Sequence, residues 1–73
     1  MMTVVKSIND ITGAFCVDIV SNGQGRFSFK SFRRDPEDNS GWYPHGPESD
    51  YLYNSSQEAQ RAASKVVPWM YRD

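Results

Sequence analysis

Two alternating runs separated by an Asn-Gly turn constrain the fold of this chain more than any other feature. From Ala14 to Ser21, apolar side chains alternate with other residues at the period typical of a half-buried β-strand. Residues 22–25 read Asn-Gly-Gln-Gly, and Asn-Gly between two such runs is the strongest short-range signal of a β-hairpin. The second strand of the hairpin starts at Arg26. We expect one apolar face shared by both strands, formed by Phe15, Val17, Ile19, Phe27 and Phe29.

The segments on either side of the hairpin are less regular. Thr3–Ile8 is rich in β-branched residues and predicts a first strand at an edge of the sheet. After Phe29 the alternation of apolar and polar residues is interrupted, because the next apolar residue, Phe32, follows three residues later instead of two. Either a bulge near Lys30 and Ser31 returns Phe32 to the core side, or the strand ends and Phe32 caps the core from a loop.

The C-terminal helix has the clearest local signals. Residues 55–58 read Ser-Ser-Gln-Glu, a capping box in which the first Ser hydroxyl accepts a hydrogen bond from the Glu amide. Pro68 predicts an end at about Val67, so we expect a helix over residues 55–67. Its apolar stripe falls at helical spacing and consists of Ala59, Ala62, Ala63 and Val66.

Together these elements predict an α+β fold, with a small antiparallel sheet of three or four strands and one C-terminal helix packed on one face. With 73 residues, the chain has room for a single domain. Its predicted parts are a three-stranded meander over residues 1–34, an acidic and aromatic loop over 35–50, the helix over 55–67 and a tail over 68–73. A short fourth strand would occupy Tyr51–Tyr53.

Residues suited to catalysis are scarce. A core this small leaves little room for a substrate pocket, and the chain has one His and one Cys, which nothing in the spacing places together. We interpret His45 as a loop residue and Cys16 as a strand residue. Segment 35–39 begins like a calcium loop, but Ser40 and Gly46 stand where such a loop needs Gly and Glu. We therefore expect a non-enzymatic protein with no catalytic residues, no metal site, no cofactor and no small-molecule substrate.

The sequence also indicates the cellular compartment in which the protein resides. Its single cysteine cannot form an internal disulfide, and its longest apolar runs are a handful of residues, too short to cross a membrane. Residues 1–6 lack the charged leader and apolar stretch of a signal peptide. We expect a cytoplasmic protein with no membrane partner.

Aromatic residues outnumber what this core can bury. Ten of the 73 residues are Phe, Trp or Tyr, and one helix with an alanine face cannot cover them all. Tyr and Trp are common anchors of protein interfaces. The leading interpretation is a protein-interaction module or homodimer, whose candidate contact residues are Trp42, Tyr43, Tyr51, Tyr53, Trp69 and Tyr71. The alternative is that the loop and tail fold back and cover one edge of the sheet.

Basic residues are concentrated around the third strand. Half of the Lys and Arg residues lie within nine positions uninterrupted by an acid, namely Arg26, Lys30, Arg33 and Arg34. Such a strand could track a nucleic-acid backbone, which makes a nucleic-acid-binding module the second interpretation. The formal net charge of −1 argues against it, because a global basic field is absent. The alternative is that these cations neutralise the adjacent loop, whose sixteen residues carry five acids.

The order of strands, loop and capped helix across Phe15–Val66 resembles the arm-type DNA-binding domains of phage integrases, which lay a three-stranded sheet in the major groove. It is also similar to short sheet-plus-helix repeats of bacterial proteins. The arm-type domains are strongly basic, and this chain is not. Because the resemblance rests on element order, it assigns no role to any residue of this chain.

Overall fold

The structure, a computed structural model, is an antiparallel sheet of four strands with one helix packed against it, which confirms the predicted α+β fold. It describes residues 2–35, 37, 41–49 and 52–70, and the backbone alone of residues 71 and 72. The strands are β1 (Thr3–Asn9), β2 (Phe15–Ser21), β3 (Phe27–Arg33) and β4 (Tyr43–Glu48). Helix α1 spans Ser56–Val66, and a 3₁₀-helix spans Pro68–Arg72. The strands lie in the order β1-β2-β3-β4.

The β2–β3 hairpin forms as the alternating pattern predicts. Its register is unbroken over all seven residues of each strand. The Asn22 side chain braces the turn by accepting hydrogen bonds from the amides of Gln24 (2.8 Å) and Arg26 (3.2 Å). Gly23 and Gly25 adopt φ angles of 82° and 80°, which glycine reaches without steric cost.

Phe32 lies on the sheet face opposite the helix, so both sequence interpretations of this residue are wrong. β3 continues without a bulge against β2, and Phe32 lies opposite Cys16. Because successive side chains of a strand point to opposite faces, Phe32 shares its face with Lys30 and not with buried Phe29. The Lys30 ammonium lies 5.7 Å from the centre of the half-buried Phe32 ring.

Strand β4 lies inside the segment predicted as a loop, so that prediction is wrong over Tyr43–Glu48. β4 pairs with β3, but its register shifts, because Lys30 lies opposite Glu48 whereas Phe32 lies opposite Pro44. β4 therefore bulges between these two pairs, and the bulge anticipated near Lys30 belongs to the partner strand rather than to β3. Proline cannot donate to a ladder, and the edge of a sheet is where it is tolerated.

The bulge brings β4 close to β3 at Gly46. Gly46 has a φ of 100°, and a Cβ at this position would lie 3.4 Å from the Ser31 Cβ. The buried Ser31 hydroxyl donates a hydrogen bond to the Pro47 carbonyl. The bulge thus satisfies a polar group that the sheet buries.

The segment before the helix contributes a single bridge where a short strand was predicted. The Tyr53 amide donates to the Phe27 carbonyl (2.6 Å), and the Phe27 amide donates to the Tyr53 carbonyl (2.8 Å). Tyr51, the first residue of the predicted strand, lies outside the described residues. The bridge ties the N-terminal side of α1 to the start of β3.

β1 is an edge strand, as predicted, and pairs with β2 alone. Its register shifts between Val4 and Lys6, so Val5 is the extra residue of a bulge. Beyond the bulge, the Lys6 ammonium donates to the Gln60 side chain of α1 (2.9 Å). This contact joins the edge strand to the helix layer.

Helix α1 begins with the predicted cap. The Ser55 hydroxyl accepts from the Glu58 amide (3.1 Å), while the Glu58 carboxylate accepts from the Asn54 amide (2.9 Å). The apolar stripe needs one correction. Val66 is 47% exposed, and Val67, which lies just beyond the helix, is buried in its place. The tail predicted after residue 67 is the 3₁₀-helix.

The core lies between α1 and the middle of the sheet. Its buried residues are Val17, Ile19, Phe29, Ala59, Ala63, Val67 and Met70, with Ile8, Phe27, Tyr53, Ala62 and Trp69 packed against them. The alanines let α1 lie close to the sheet. Phe15, predicted for the same apolar face, is half-buried and does not join this cluster.

Candidate interaction surface

The six aromatic residues predicted as contact residues do not form one surface. Of the aromatic residues whose side chains are described, Trp42 and Tyr43 are exposed (41% and 40%), and the others are partly or fully buried. Tyr53 and Trp69 pack against the core. Tyr51 and the side chain of Tyr71 lie outside the described residues.

The four basic residues predicted as a nucleic-acid contact also separate. Arg26 precedes β3 and donates to the Asn54 side chain, whereas Arg33 ends the strand. Their separation along a seven-residue strand is roughly 20 Å. Lys30 projects from the face opposite the helix, with its ammonium over a phenylalanine ring. Arg33 and Arg34 remain together at the end of β3.

The pairing of β4 with β3 brings Trp42 and Tyr43 close to the end of β3, where Arg33 and Arg34 lie. Tyr43 lies directly opposite Arg33 in the ladder. The Arg34 guanidinium lies 4.9 Å from the centre of the Trp42 ring. A guanidinium over an exposed ring is worth about 0.5–1 kcal/mol, enough to bias both side chains toward one arrangement. At this end of the sheet, Tyr43 is thus the ladder neighbour of Arg33, and Trp42 lies under the Arg34 guanidinium.

Phe15 and His45 support these residues from the neighbouring positions of the sheet. The Arg33 guanidinium lies 5.7 Å from the centre of the Phe15 ring. The His45 ring lies 6.5 Å from Phe15 and packs against the Tyr43 ring, also at 6.5 Å, with its plane nearly perpendicular. Edge-to-face packing of this kind holds the rings in a defined orientation. His45 thus acts here as a packing residue in strand β4, not in a loop as predicted.

The β1–β2 turn borders the same end and displays a residue that the sequence interpretation did not select. Ile11 is fully exposed, with a relative accessibility of 102%. The turn around it is well braced, because the Asp10 carboxylate accepts from the Thr12 hydroxyl (2.8 Å) and from the amides of Ala14 (3.1 Å) and Phe15 (3.2 Å). In the sequence, the feature that could have indicated an exposed apolar residue is the position of Ile11 within a segment of turn-forming residues.

Arg34 connects this turn to the exposed Trp42 ring. Its Nε donates to the Gly13 carbonyl (2.9 Å), and its amide donates to the Ala14 carbonyl (2.9 Å). Gly13 reaches this position with a φ of 76°. We call the combined region the sheet-end surface, which consists of Ile11, Arg33, Arg34, Trp42 and Tyr43.

Trp69 borders the sheet-end surface at the turn. A shallow groove of about 610 Å³ runs between the turn and the 3₁₀-helix, and Trp69 and Pro68 form its wall opposite Ile8–Thr12. Trp69 therefore belongs partly to the core and partly to this groove.

Burial and, after it, the nearby Asp18 carboxylate raise the pKa of the Cys16 thiol to about 11, which keeps the thiol protonated. Among residues 2–35, 37, 41–49 and 52–72, no cluster of three His, Cys, Asp or Glu side chains is placed to hold a metal ion. No helix in the described part of the chain is long and apolar enough to cross a membrane.

In comparisons with known proteins, no family model, no curated protein and no solved structure matches this chain.

Proposed function

We propose that this protein is a non-enzymatic binding module that recognises a protein partner, or a second copy of itself, through the sheet-end surface. The observation that carries the proposal is the exposure of Trp42 and Tyr43 beside Arg33 and Arg34, while the other described aromatic side chains are partly or fully buried. Trp, Tyr and Arg are the residue types most enriched among interface residues that dominate binding energy.

The contacts that hold Arg34 and the β1–β2 turn in place support the same proposal. Arg34 is held by the Gly13 carbonyl and by the Trp42 ring, and the turn displaying Ile11 is fixed by the Asp10 carboxylate. Groups held in place before binding lose less conformational entropy when a partner arrives. We place the module in the cytoplasm, and the free, buried Cys16 thiol is compatible with a reducing compartment.

Site-specific photo-cross-linking in the native cell tests the proposal. A photoreactive phenylalanine analogue replaces Trp42, and a matched control carries it at Gln24, an exposed position in the turn at the other end of the hairpin. We expect a discrete protein adduct from position 42 that position 24 does not produce. An adduct with the mass of two copies would identify a homodimer, which light scattering of the purified protein would check. No adduct specific to position 42 would contradict the proposal.

A second candidate function is the binding of single-stranded nucleic acid at the same surface. The observation in its favour is that the Arg34 guanidinium lies over the exposed Trp42 ring while Arg33 pairs with exposed Tyr43 in the ladder, and cations beside aromatic rings can pair with phosphates and stack on bases. An amide-resonance titration with single-stranded and duplex oligonucleotides at low salt tests it. Shifts at Arg33, Arg34, Trp42 and Tyr43 that reverse with salt, and disappear in an Arg33→Ala, Arg34→Ala double variant, are expected. No shifts at low salt would reject this function.

A further inference from the structure

A second surface lies along the outer side of α1, beside the segment that bridges to the start of β3. A groove of about 590 Å³ separates α1 from the segment that precedes it. Leu52 and Val66 both line it, and they are 52% and 47% exposed. Tyr53 and the small side chain of Ala62 also line the groove. Two large, exposed apolar side chains thus border one depression.

Two cations and one acid line this groove. Arg61 and Lys65 line it, one helical turn apart on the exposed side of α1. The acid that also lines it, Glu58, already accepts the Asn54 amide at the start of the helix, where the helix dipole favours a negative charge. The adjoining depression of α1 adds a further cation, because Lys6 and Arg61 both line it.

We propose that this groove docks an acidic amphipathic segment of a partner protein. Apolar side chains of the segment would lie between Leu52 and Val66, and its carboxylates would face Arg61 and Lys65. The observations that select this partner are the exposed apolar side chains and the two cations that line the groove, which together match a segment with apolar residues on one side and acids on the other. The proposal does not depend on the sheet-end surface, since none of the five residues of that surface lines this groove.

The test uses two synthetic peptides of about sixteen residues that are identical except for their charged positions. Both carry Leu at helical spacing and Ala between, with Glu at the remaining positions of one and Lys at those of the other. Each is titrated to about 1 mM into the isotopically labelled protein at low salt, and amide shifts are followed. We expect shifts from the Glu peptide at Leu52, Tyr53 and the outer side of α1, weakened by added salt.

Variants separate groove binding from general charge attraction. Arg61→Glu should weaken binding of the Glu peptide at least tenfold, and Leu52→Ser should weaken it several-fold, whereas Arg33→Glu on the sheet-end surface should change it little. All three positions are exposed, so the variants should keep the fold, which circular dichroism verifies. Equal binding of both peptides, shifts located on the sheet-end surface, or no shifts at the highest concentration would each overturn the proposal. Self-association through the groove without peptide binding would overturn it as well.

Discussion

At the scale of single residues, Asp10 determines the shape of the β1–β2 turn. Burial of the carboxyl alone would raise the pKa of Asp10, but hydrogen bonds from the Thr12 hydroxyl and from backbone amides of the turn outweigh it and lower the pKa. These bonds favour the charged carboxylate. A depressed native-state pKa means that Asp10 stabilises the fold above its unfolded-state pKa, and that this contribution is lost as the pH falls through the lower native value.

We therefore predict that acidification loosens the turn at a pH below the usual titration range of an aspartate, about 3.9. The amide resonances of Ala14 and Phe15, which donate to this carboxylate, should report the event between pH 6 and pH 2. In the Asp10→Asn variant, which lacks the carboxyl group, the same resonances should not show this pH-dependent change. A midpoint at or above the usual value in the native protein would contradict the assignment.

Cys16 leads to a second prediction at this scale. Desolvation raises the pKa of the thiol, and the Asp18 carboxylate, which accepts from Sγ at 3.3 Å, adds to this effect, so that the pKa is about 11. At pH 8, about one thiol in a thousand would be ionised, compared with roughly one in four for free cysteine. We expect its reaction with an aromatic disulfide reagent to be at least about a hundredfold slower than that of free cysteine.

The Asp18→Asn variant provides the control for this prediction. Removing the carboxylate charge removes one of the causes of the raised pKa, so the reaction should accelerate and its pH profile should shift to lower pH. A native thiol that reacts as fast as free cysteine would show that Cys16 is neither buried nor paired with Asp18.

At the scale of secondary-structure elements, the cap of α1 is the simplest feature to test. Replacing Ser55 with Ala removes the oxygen that accepts the Glu58 amide, and such a loss costs about 1 kcal/mol of stability. Ser64 provides a matched control, because Ser64→Ala lies in the last turn and improves helix propensity. Urea denaturation should show a lower midpoint for the first variant and an equal or slightly higher midpoint for the second. Equal midpoints for both variants would contradict the role of the cap.

Strand β4 leads to a prediction about glycine. Gly46→Ala introduces a residue at a φ of 100° and places its Cβ against the Ser31 side chain, so we expect a loss of about 1–3 kcal/mol. Gly25→Ala is the matched control, because Gly25 also has a positive φ, of 80°, but its Cβ would meet no atom within 4 Å. Urea denaturation should therefore rank Gly46→Ala as the more damaging. The reverse ranking would contradict the close approach of β4 to β3.

The elements that sequence reasoning predicted correctly are those with uninterrupted local signals. The β2–β3 hairpin has strict alternation and an Asn-Gly turn, and α1 has a cap and a terminating proline. β4 lacks such a signal, because Pro44, Gly46 and Pro47 are typical of loops. Its pairing with β3 is a tertiary contact, and the bulge that accommodates these residues depends on that partner strand. The prediction for Phe32 is wrong because the three-residue spacing from Phe29 to Phe32 suggests a break in the alternation, whereas β3 continues regularly and Phe32 lies on its other face.

The candidate surface was predictable in its parts but not in its assembly. Composition identified Trp42 and Tyr43 as surplus rings and Arg33 and Arg34 as clustered cations. Their meeting follows from the pairing of β4, which was not predicted. The outward position of Ile11 depends on the hydrogen bonds of its turn, and a turn-forming sequence does not by itself specify which side chain faces solvent.

At the scale of the whole molecule, burial is concentrated in the middle of the sheet. Helix α1 packs mainly across β2 and β3, where Val17, Ile19 and Phe29 are buried. The described residues of β4 are all exposed, and those of β1 are exposed apart from half-buried Ile8. Regions with few buried apolar contacts open locally at lower free energy than the core. The two edges of the sheet and its centre should therefore differ in stability.

We predict that native-state amide hydrogen exchange will divide the sheet into a stable centre and weaker edges. Amides bonded between β2 and β3 should exchange only through global unfolding, so their exchange free energies should fall with denaturant as steeply as the unfolding free energy. Amides of β4 should exchange through local opening, with lower and denaturant-insensitive values. Gly46→Ala should lower protection in β4 relative to the β2–β3 ladder, because its strain is confined to the bulge. Equal protection in β4 and β2 would instead mean that the four strands unfold as one unit.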